Sequence, residues 1–310
     1  MSETAIWNPN ASPAAAETDA LETAVVMRLK ALKINQALGS LAGMAENYGR
    51  LATLYGLMGD LERAQSMSEC AVEIETSLGR QENLPESFHN LGEIFLAHGG
   101  FEGAEKLFRQ AIAIHAAASG RETTTKYQRG LAAVFERRQD WDRLKPLLLQ
   151  IIEIERGRQT TSELADLLNR LAALFLLEGQ PVRAKEYLDD ALAIYTACQN
   201  EKGLADTLGH MGLVLTMLDD LDRAEAMLKR ALEMNKVLNR TAKQADNYGN
   251  LANIHWSRNR LAPAEENYRK ALLLFEKSGR YVKARKTRSL LEDLQKIRQP
   301  DAKAPSAYAH

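Results

Sequence analysis

Apolar residues recur along this chain with a helical spacing, and the whole pattern repeats every 40 residues. When the sequence is divided at 41, 81, 121, 161, 201 and 241, six blocks align without a gap. Positions 8, 11 and 15 of each block are mostly apolar, and position 12 is always alanine or glycine. Spacings of three, four and seven residues place these side chains on one face of an α-helix. The first half of each block therefore predicts an amphipathic helix, which we call helix A.

The second half of each block predicts another amphipathic helix, helix B. Positions 24 and 31 are alanine in five of the six blocks, and position 34 is always Ile, Met or Leu. Between the two helices the pattern breaks at pairs such as Gly59-Asp60 and Asp219-Asp220. Gly and Asn tolerate the left-handed backbone that ends a helix, and Asp can cap the next one. Because short side chains let helices approach closely, each block predicts a helical hairpin.

Half-repeats flank the six hairpins. Residues 21–38 carry a lone helix B pattern, and Pro13 after Ser12 suits the first position of a helix, so residues 13–40 predict an N-terminal capping helix. Residues 281–298 predict a C-terminal capping helix with Leu290, Leu291, Leu294 and Ile297 facing inward. The full prediction is fourteen helices, with tails at 1–12 and 299–310 expected to be disordered. The six hairpins are expected at 41–80, 81–120, 121–160, 161–200, 201–240 and 241–280.

The third block departs from this pattern. Gln128 replaces an aromatic residue, Leu144 replaces the small alanine, and Pro146 falls inside helix B. Proline removes a helical hydrogen bond and clashes with the preceding turn, so helix B either starts late, near Pro146, or kinks there. The departure is interpreted as drift of one repeat, with a hinge near 140–146 as the alternative.

The columns resemble the tetratricopeptide repeat signature, in which an aromatic residue, Leu, a small residue and Tyr or Phe precede two alanines. Block one carries it as Tyr48, Leu51, Ala52, Tyr55, Ala64 and Ala71. The usual repeat has 34 residues, so the 40-residue period is similar to the long kinesin-light-chain type and to bacterial relatives. The resemblance covers residues 21 to about 297. It implies an all-α, right-handed superhelical solenoid of antiparallel helix pairs, with helix A lining a concave groove that binds peptides.

Composition narrows the function classes. The formal net charge is −1, from 40 basic and 41 acidic residues, so the chain lacks the electrostatic footprint of a nucleic-acid partner. No stretch approaches the ~18 unbroken apolar residues of a membrane helix, and the first residues lack a signal-peptide pattern, so we expect a cytoplasmic chain without membrane insertion. Cys70 and Cys198 cannot form a disulfide framework and are interpreted as small buried hydrophobes.

Candidate chemistry is sparse, and we expect neither an enzyme nor a cofactor or metal site. His89 and Glu93 form one i, i+4 pair without a third ligand. His255 occupies an aromatic core column and is interpreted as a packed histidine. The sequence contains no glycine-rich phosphate loop.

The groove-facing columns supply the candidate binding residues. In the resembled family, Asn and basic residues at these columns hold a peptide's backbone or its carboxylates; the alternative is a solvated helix face. The polar candidates are Arg50, Asn90, Glu93, Arg129, Asn169, Arg170, His210, Asn250 and Asn253. An apolar group also falls on groove columns, which predicts a binding patch or, alternatively, packing between neighbouring A helices. The apolar candidates are Leu176, Leu177, Leu213, Met217 and Trp256.

Position 6 is acidic in five of the six blocks, as at Asp206 and Asp246. The favoured interpretation is that these acids lie in the first turn of helix A, where they favour the helix dipole. An electronegative stripe for a basic peptide is the alternative.

Taken together, the sequence predicts an interaction scaffold or adaptor that holds a partner peptide or helix in a groove. One alternative is a ligand-responsive sensor whose superhelix closes on binding. Another is a self-assembling scaffold, which would make the chain a homo-oligomer.

Overall fold

A computed structural model describes residues 13–80, 82, 84–119, 124–158 and 161–298. These residues form fourteen α-helices and no strand. The predicted tails at 1–12 and 299–310 lie outside the described residues. The helices are α1 (Pro13–Ala37), α2 (Leu41–Leu57), α3 (Leu61–Ser77), α4 (Leu84–Ala97), α5 (Phe101–Ser119), α6 (Thr125–Arg137), α7 (Trp141–Arg156), α8 (Ser162–Leu177), α9 (Pro181–Ala197), α10 (Glu201–Met217), α11 (Leu221–Val237), α12 (Thr241–Ser257), α13 (Leu261–Lys277) and α14 (Tyr281–Arg298).

The chain forms two compact units, Met1–Ile154 and Glu155–His310. In the first unit, α2 pairs with α3 and α4 with α5; in the second, α8 pairs with α9, α10 with α11, and α12 with α13. Each of these pairs is one helix A and one helix B joined by a short turn. Helix B also packs on the next helix A, as α5 does on α6 and α11 does on α12. The fold is therefore all-α, as the sequence predicts.

Small residues in the A helices receive large ones from the B helices. Gly212 faces Leu228, and a Cβ atom on Gly212 would lie only 2.5 Å from Leu228 Cγ. Gly92 faces Phe108 in the same way, at 2.9 Å. Such distances are shorter than any packed carbon contact, so the small column at position 12 is a steric requirement.

Among the described residues, eleven turns between helices are each marked by one residue in the left-handed region, at intervals of 20 or 40 residues. At the end of α2, for example, Gly59 has positive φ, and Asp60 N donates to Tyr55 O at 2.9 Å, which closes the turn. Asp60, Asp140 and Asp220 then cap helix B by accepting a hydrogen bond from the backbone N–H three residues later. The residues with positive φ are Gly39, Gly59, Gly79, Gly99, Gln139, Gly179, Gln199, Asp219, Asn239, Asn259 and Gly279.

The third block shows that one of its two predicted alternatives is wrong. Helix α7 begins at Trp141 and continues through Pro146, so it does not start late. Asp140 sets this start, because its side chain accepts from Arg143 N at 3.3 Å. The residues of this first turn are half-buried or exposed, apart from Leu144. A hinge near 140–146 stays a prediction.

Three side chains test the predicted core. His255 is buried, as expected, at 9% exposure. Ile297 was expected to face inward, but it is 53% exposed because it lies almost one turn beyond Leu294, where the core of α14 ends. Cys198 was expected to be buried, but it is exposed because it is the C-cap residue of α9 and not part of its apolar stripe.

Candidate peptide-binding surface

Within each unit the A helices lie side by side. α4 contacts both α2 and α6 in the first unit, and α10 contacts both α8 and α12 in the second. Equivalent positions of successive A helices are therefore neighbours, and together they form a continuous surface within each unit. We call this surface the helix-A face.

The first unit contributes a cleft of about 510 Å³ between α2, α3 and α4. Two predicted residues, Arg50 and Asn90, line it. Arg50 Nε also bonds Glu46 Oε1 at 2.9 Å. Glu93 lies on the same helix as its i, i+4 partner His89, which packs against the rings of Phe108 and Tyr127.

Asn169 is predicted as a groove residue, and the structure places it between two repeats. It is 8% exposed, and its Nδ2 donates to Thr207 Oγ1 of α10 at 2.6 Å. The neighbouring Tyr195 hydroxyl donates to Asp166 Oδ1 at 2.5 Å. Burial and this hydrogen bond raise the pKa of Tyr195. These four polar residues form a network that connects α8, α9 and α10, so the Asn169 amide nitrogen is occupied.

Arg129 and Arg170 each interact with a neighbouring group. Asn253 is exposed and accepts a hydrogen bond from the Tyr268 hydroxyl at 2.5 Å. These three predicted residues therefore lie on or beside the helix-A face with at least one contact already made.

The second unit holds a more polar cleft of about 310 Å³, which we call the unit 2 cleft. His210, Leu213 and Asn250, all predicted, come together here. Asp206 and Asp246 were predicted only as members of an acidic column, and the basic and amide groups beside them were not predicted as site residues. Its other lining residues are Ala205, Asp206, Gly209, Asn235, Lys243, Asp246, Asn247, Arg280 and Lys283.

Two ion-pair sets, 40 residues apart, organise the unit 2 cleft. In the first set, Asp206 receives Arg240 Nη2 at 2.8 Å and Lys243 Nζ at 3.0 Å. Burial alone would raise the pKa of Asp206, but the hydrogen bond from Arg240 and the charge of Lys243 outweigh it and lower that pKa.

The second set repeats this geometry. Asp246 receives Arg280 Nη1 at 3.1 Å and Lys283 Nζ at 2.5 Å. In both sets the basic residues occupy position 40 of the block and position 3 of the next one. This recurrence in the sequence could have predicted both ion-pair sets. Asp206 and Asp246 lie in the second turn of their helices, so the predicted first-turn dipole role is wrong for them. Glu86 does lie in the first turn of α4.

Three polar atoms of the unit 2 cleft have no hydrogen-bond partner among the described residues, and one of them, Asp206 Oδ1, has only its ion pair with Lys243. Asn247 is only 4% exposed, and its Nδ2 is unpaired. His210 Nδ1 is also unpaired, and burial lowers the pKa of this imidazole, which favours its neutral form. Buried amide groups almost always find partners, so these atoms are available to an incoming ligand.

The predicted apolar patch divides into two parts. Leu177 is 70% exposed and Met217 is 49% exposed, and both occupy position 17 of neighbouring A helices. Leu176 and Leu213 are half-buried. Trp256 is half-buried: it meets the ring of Tyr268 on helix B α13 edge-on at 6.0 Å, and it packs on the core that includes Leu294 of α14.

Among the described residues, no group of three or more His, Cys, Asp or Glu could hold a metal ion. Within those same residues, no helix combines the length and the hydropathy that crossing a bilayer demands.

Comparisons with known proteins agree with this fold. The tetratricopeptide repeat model matches residues 41–117 and 203–277. The TPR-like repeats of a kinesin light chain from Podosopora anserina are 18% identical, with 62% of this chain and 95% of that chain covered and a TM-score of 0.51. The apo form of RapI is 13% identical, with 83% and 99% covered and a TM-score of 0.59.

Aspartyl phosphate phosphatase F from Bacillus subtilis is 11% identical, with 90% of this chain and 77% of that chain covered and a TM-score of 0.59. No curated protein matches the sequence. At these identities the structural likeness concerns the fold alone, whereas the family model matches the repeats themselves. Residues 41–117 and 203–277 are therefore tetratricopeptide repeats, within a chain whose repeat pattern has a 40-residue period.

Proposed function

We propose that this protein is an interaction scaffold that holds a partner peptide or helix on the helix-A face of its second unit. The observation that carries the proposal is the exposure of Leu177 and Met217 at equivalent positions of α8 and α10. Contiguous exposed apolar patches usually mark interaction sites, and on this proposal Leu177 and Met217 form such a patch with the half-buried Leu176 and Leu213. The unit 2 cleft lies one helical turn away, because Leu213, which lines it, precedes Met217 by four residues.

The two apolar side chains suit a partner's apolar residue. Met is flexible and adapts to irregular surfaces, and Leu offers a fixed branched group. Covering a side chain of this size contributes about 1.5–3 kcal/mol when it is fully buried. Two such contacts beside a polar cleft give affinity from apolar burial and orientation from hydrogen bonds.

The test compares a site variant with a matched control. Leu177→Asp/Met217→Asp places two charges on the helix-A face. Val182→Asp/Val237→Asp places two charges on helix B residues that are 61% and 77% exposed. Wild-type protein and both variants are immobilised, and retained proteins from a native lysate are identified by mass spectrometry.

We expect wild type and the control to retain the same partner and the site variant to lose it, with unchanged circular dichroism for all three. Binding is then repeated with the purified partner by calorimetry. Equal loss in both variants, or retention by the site variant, would remove the helix-A face as the binding surface.

Self-association is a second candidate, favoured by one observation on α1. Met27, Ile34 and Leu38 are 65%, 60% and 74% exposed, whereas Val25 and Leu32 are buried. In the complete repeats each helix B follows a helix A, whereas α1 follows no described helix A. The spacings along this stripe are seven and four residues, which also occur along a coiled-coil seam, so a second copy of α1 fits it.

The self-association candidate predicts a monomer–dimer equilibrium. Sedimentation at increasing protein concentration should show a dimer for wild type. Ile34→Glu/Leu38→Glu should give a monomer of unchanged helicity. A wild type that stays monomeric at about 100 µM, a generous upper bound for a specific dimer, excludes this candidate.

A further inference from the structure

We propose that a cavity between α3 and α5 binds a small molecule that carries an amine and one apolar group of the size of a Leu or Phe side chain. This inference concerns the first unit and goes beyond the proposed function, on which it does not depend. The cavity has a volume of about 250 Å³, and we call it the Ser68 cavity. Residues of α3 and α5 form its walls, and Phe88 of α4 completes the lining.

Three residues that line the Ser68 cavity are the smallest in their columns of the repeat. At position 28, Ser68 stands where the other blocks have Phe, Tyr or Leu, and each of those side chains is 2% exposed or less. At position 32, Val72 stands where the other blocks have Ile or Leu. At position 23, Gly103 stands where four of the other five have Arg. All three reductions in size meet at one cavity, and departures from a packing rule that gather at one place are typical of functional sites.

The lining and the volume define the apolar group of the ligand. Val72, Phe88 and Leu107 line the cavity, and Phe88 and Leu107 are only 3% and 5% exposed. Protein interiors are close-packed, so an apolar cavity of this size leaves side-chain atoms without contacts that a ligand can supply. Apolar cavities of about 150 Å³ take up benzene. A volume of about 250 Å³ therefore accommodates a group of Leu or Phe size together with a short linker.

The charge at the mouth of the cavity defines the polar group. Glu69, Glu73 and Lys106 line the cavity and are all exposed, so its ionised groups, two carboxylates and one ammonium, carry one net negative charge. Lys106 Nζ pairs with Glu69 Oε1 at 3.2 Å, and Gln65 Nε2 donates to the same oxygen at 3.0 Å. Glu73 is therefore the carboxylate in excess. An ammonium group on the ligand is attracted to it, whereas a carboxylate on the ligand is repelled.

The first test fills the cavity from within. Ser68→Leu/Val72→Leu gives α3 the two leucines that α9 and α11 have at these positions of the repeat. The control, Ser66→Leu/Thr76→Leu, makes matched changes at two exposed positions of the same helix. We expect the filled variant to melt about 2–4 °C above the wild type, and we expect the control to stay within about 1 °C of the wild type.

The second test measures binding to the full-length protein by NMR of its methyl groups. The probe is phenethylamine, which joins a phenyl ring to an ammonium group. It should shift the Leu107 methyl signals in a saturable way, because Leu107 lines the Ser68 cavity. Leu91 is the internal control, because it lines the cleft between α2, α3 and α4 and not this cavity. The dissociation constant should rise at least about tenfold in the filled variant and stay unchanged in the exposed control.

Two analogues of the probe test the amine. Phenethyl alcohol and hydrocinnamate keep the ring but replace the ammonium with a hydroxyl or a carboxylate. We expect the amine to bind about threefold more tightly than the alcohol, as for an exposed ion pair, and the carboxylate to bind most weakly. Glu73→Gln should remove the preference for the amine. Glu62→Gln should retain it, because Glu62 is exposed on α3 outside the cavity.

Three results would overturn the inference. The first is a filled variant that is no more stable than the exposed control, because the cavity would then not be a packing deficit. The second is the absence of saturable shifts at Leu107 with every probe, or shifts at Leu91 alone, which would place the probe on the helix-A face. The third is equal affinity for all three probes, or a preference for the amine that survives Glu73→Gln. None of these results alters the proposed scaffold function, which concerns the second unit.

Discussion

Gly203 is the position at which a single methyl group should have the largest effect for its size. A Cβ atom there would lie 2.2 Å from Cε1 and 2.4 Å from Cδ1 of Tyr195. The Tyr195 side chain is 1% exposed, and its hydroxyl bonds Asp166, so the ring cannot rotate away without losing that bond. Gly203→Ala therefore forces a change in the contact between α9 and α10.

The expected magnitude follows from three contributions. Replacing Gly by Ala in a helix gains up to about 1 kcal/mol in propensity. Overpacking a tight core costs about 1–3 kcal/mol, and displacing the Tyr195 hydroxyl costs about 0.5–1.5 kcal/mol for its hydrogen bond. The net result is a loss of about 1–3 kcal/mol in the free energy of unfolding.

Gly249→Ala is the matched control. It is the same substitution within an A helix, but no heavy atom lies within 4 Å of the added Cβ. This variant should gain about 1 kcal/mol from helix propensity. The two alanine variants should therefore change stability in opposite directions.

The assay is urea unfolding followed by far-ultraviolet circular dichroism, with amide hydrogen exchange to locate the change in α9 and α10. Tyr195→Leu removes the ring and provides the second arm of a cycle, in which Gly203→Ala should no longer destabilise. If Gly203→Ala is as stable as Gly249→Ala, or remains destabilising after the ring is removed, the proposed steric conflict is refuted.

Three further predictions concern stability. Leu188→Ala should cost about 2–5 kcal/mol, because this side chain is fully buried, whereas Val182→Ala at 61% exposure should stay within about 0.5 kcal/mol by urea unfolding. Gln139→Gly should raise the melting temperature by an amount equivalent to about 1 kcal/mol, because Gln139 has φ of 56°; an unchanged value would contradict the left-handed backbone there. The pKa of Tyr195 is raised by burial, so its folded-state value exceeds its unfolded value. The contribution of Tyr195 to the free energy of unfolding is therefore complete below pH ~10, the usual pKa of a tyrosine, and it falls as the pH rises beyond that value. Stability measured against pH should show this loss in wild type and not in Tyr195→Phe.

The fold was predictable because six blocks repeat the same pattern of large and small apolar residues. For example, position 12 is Ala or Gly in all six blocks, and this recurrence indicates that a small side chain is needed there for steric reasons. Asp residues after three of the six breaks likewise predicted caps of helix B, and Asp60, Asp140 and Asp220 do cap it. The boundary of α7 was harder, because a local proline rule competes with the cap at Asp140, and the cap prevails.

The candidate surface was less predictable, because side chains that share a helix face differ in their partners. Asn169 and Asn250 were both predicted to be groove amides, yet Asn169 is bound between repeats and Asn250 lines a cleft. Exposure at helix ends also escapes the periodic pattern, as Ile297 and Cys198 show. The sensor alternative, the expected absence of catalysis and a cytoplasmic location stay predictions.

The repetition of the ion-pair sets has a consequence for the partner's own sequence. Asp206 and Asp246 lie at the same position of α10 and α12, and neighbouring helices pack about 10 Å apart. An extended peptide advances about 3.3 Å per residue, so one step between the two sets corresponds to about three residues of partner. For the proposed scaffold, partner side chains that meet successive repeats should therefore be about three residues apart, and inserting one residue between them should weaken binding without changing composition.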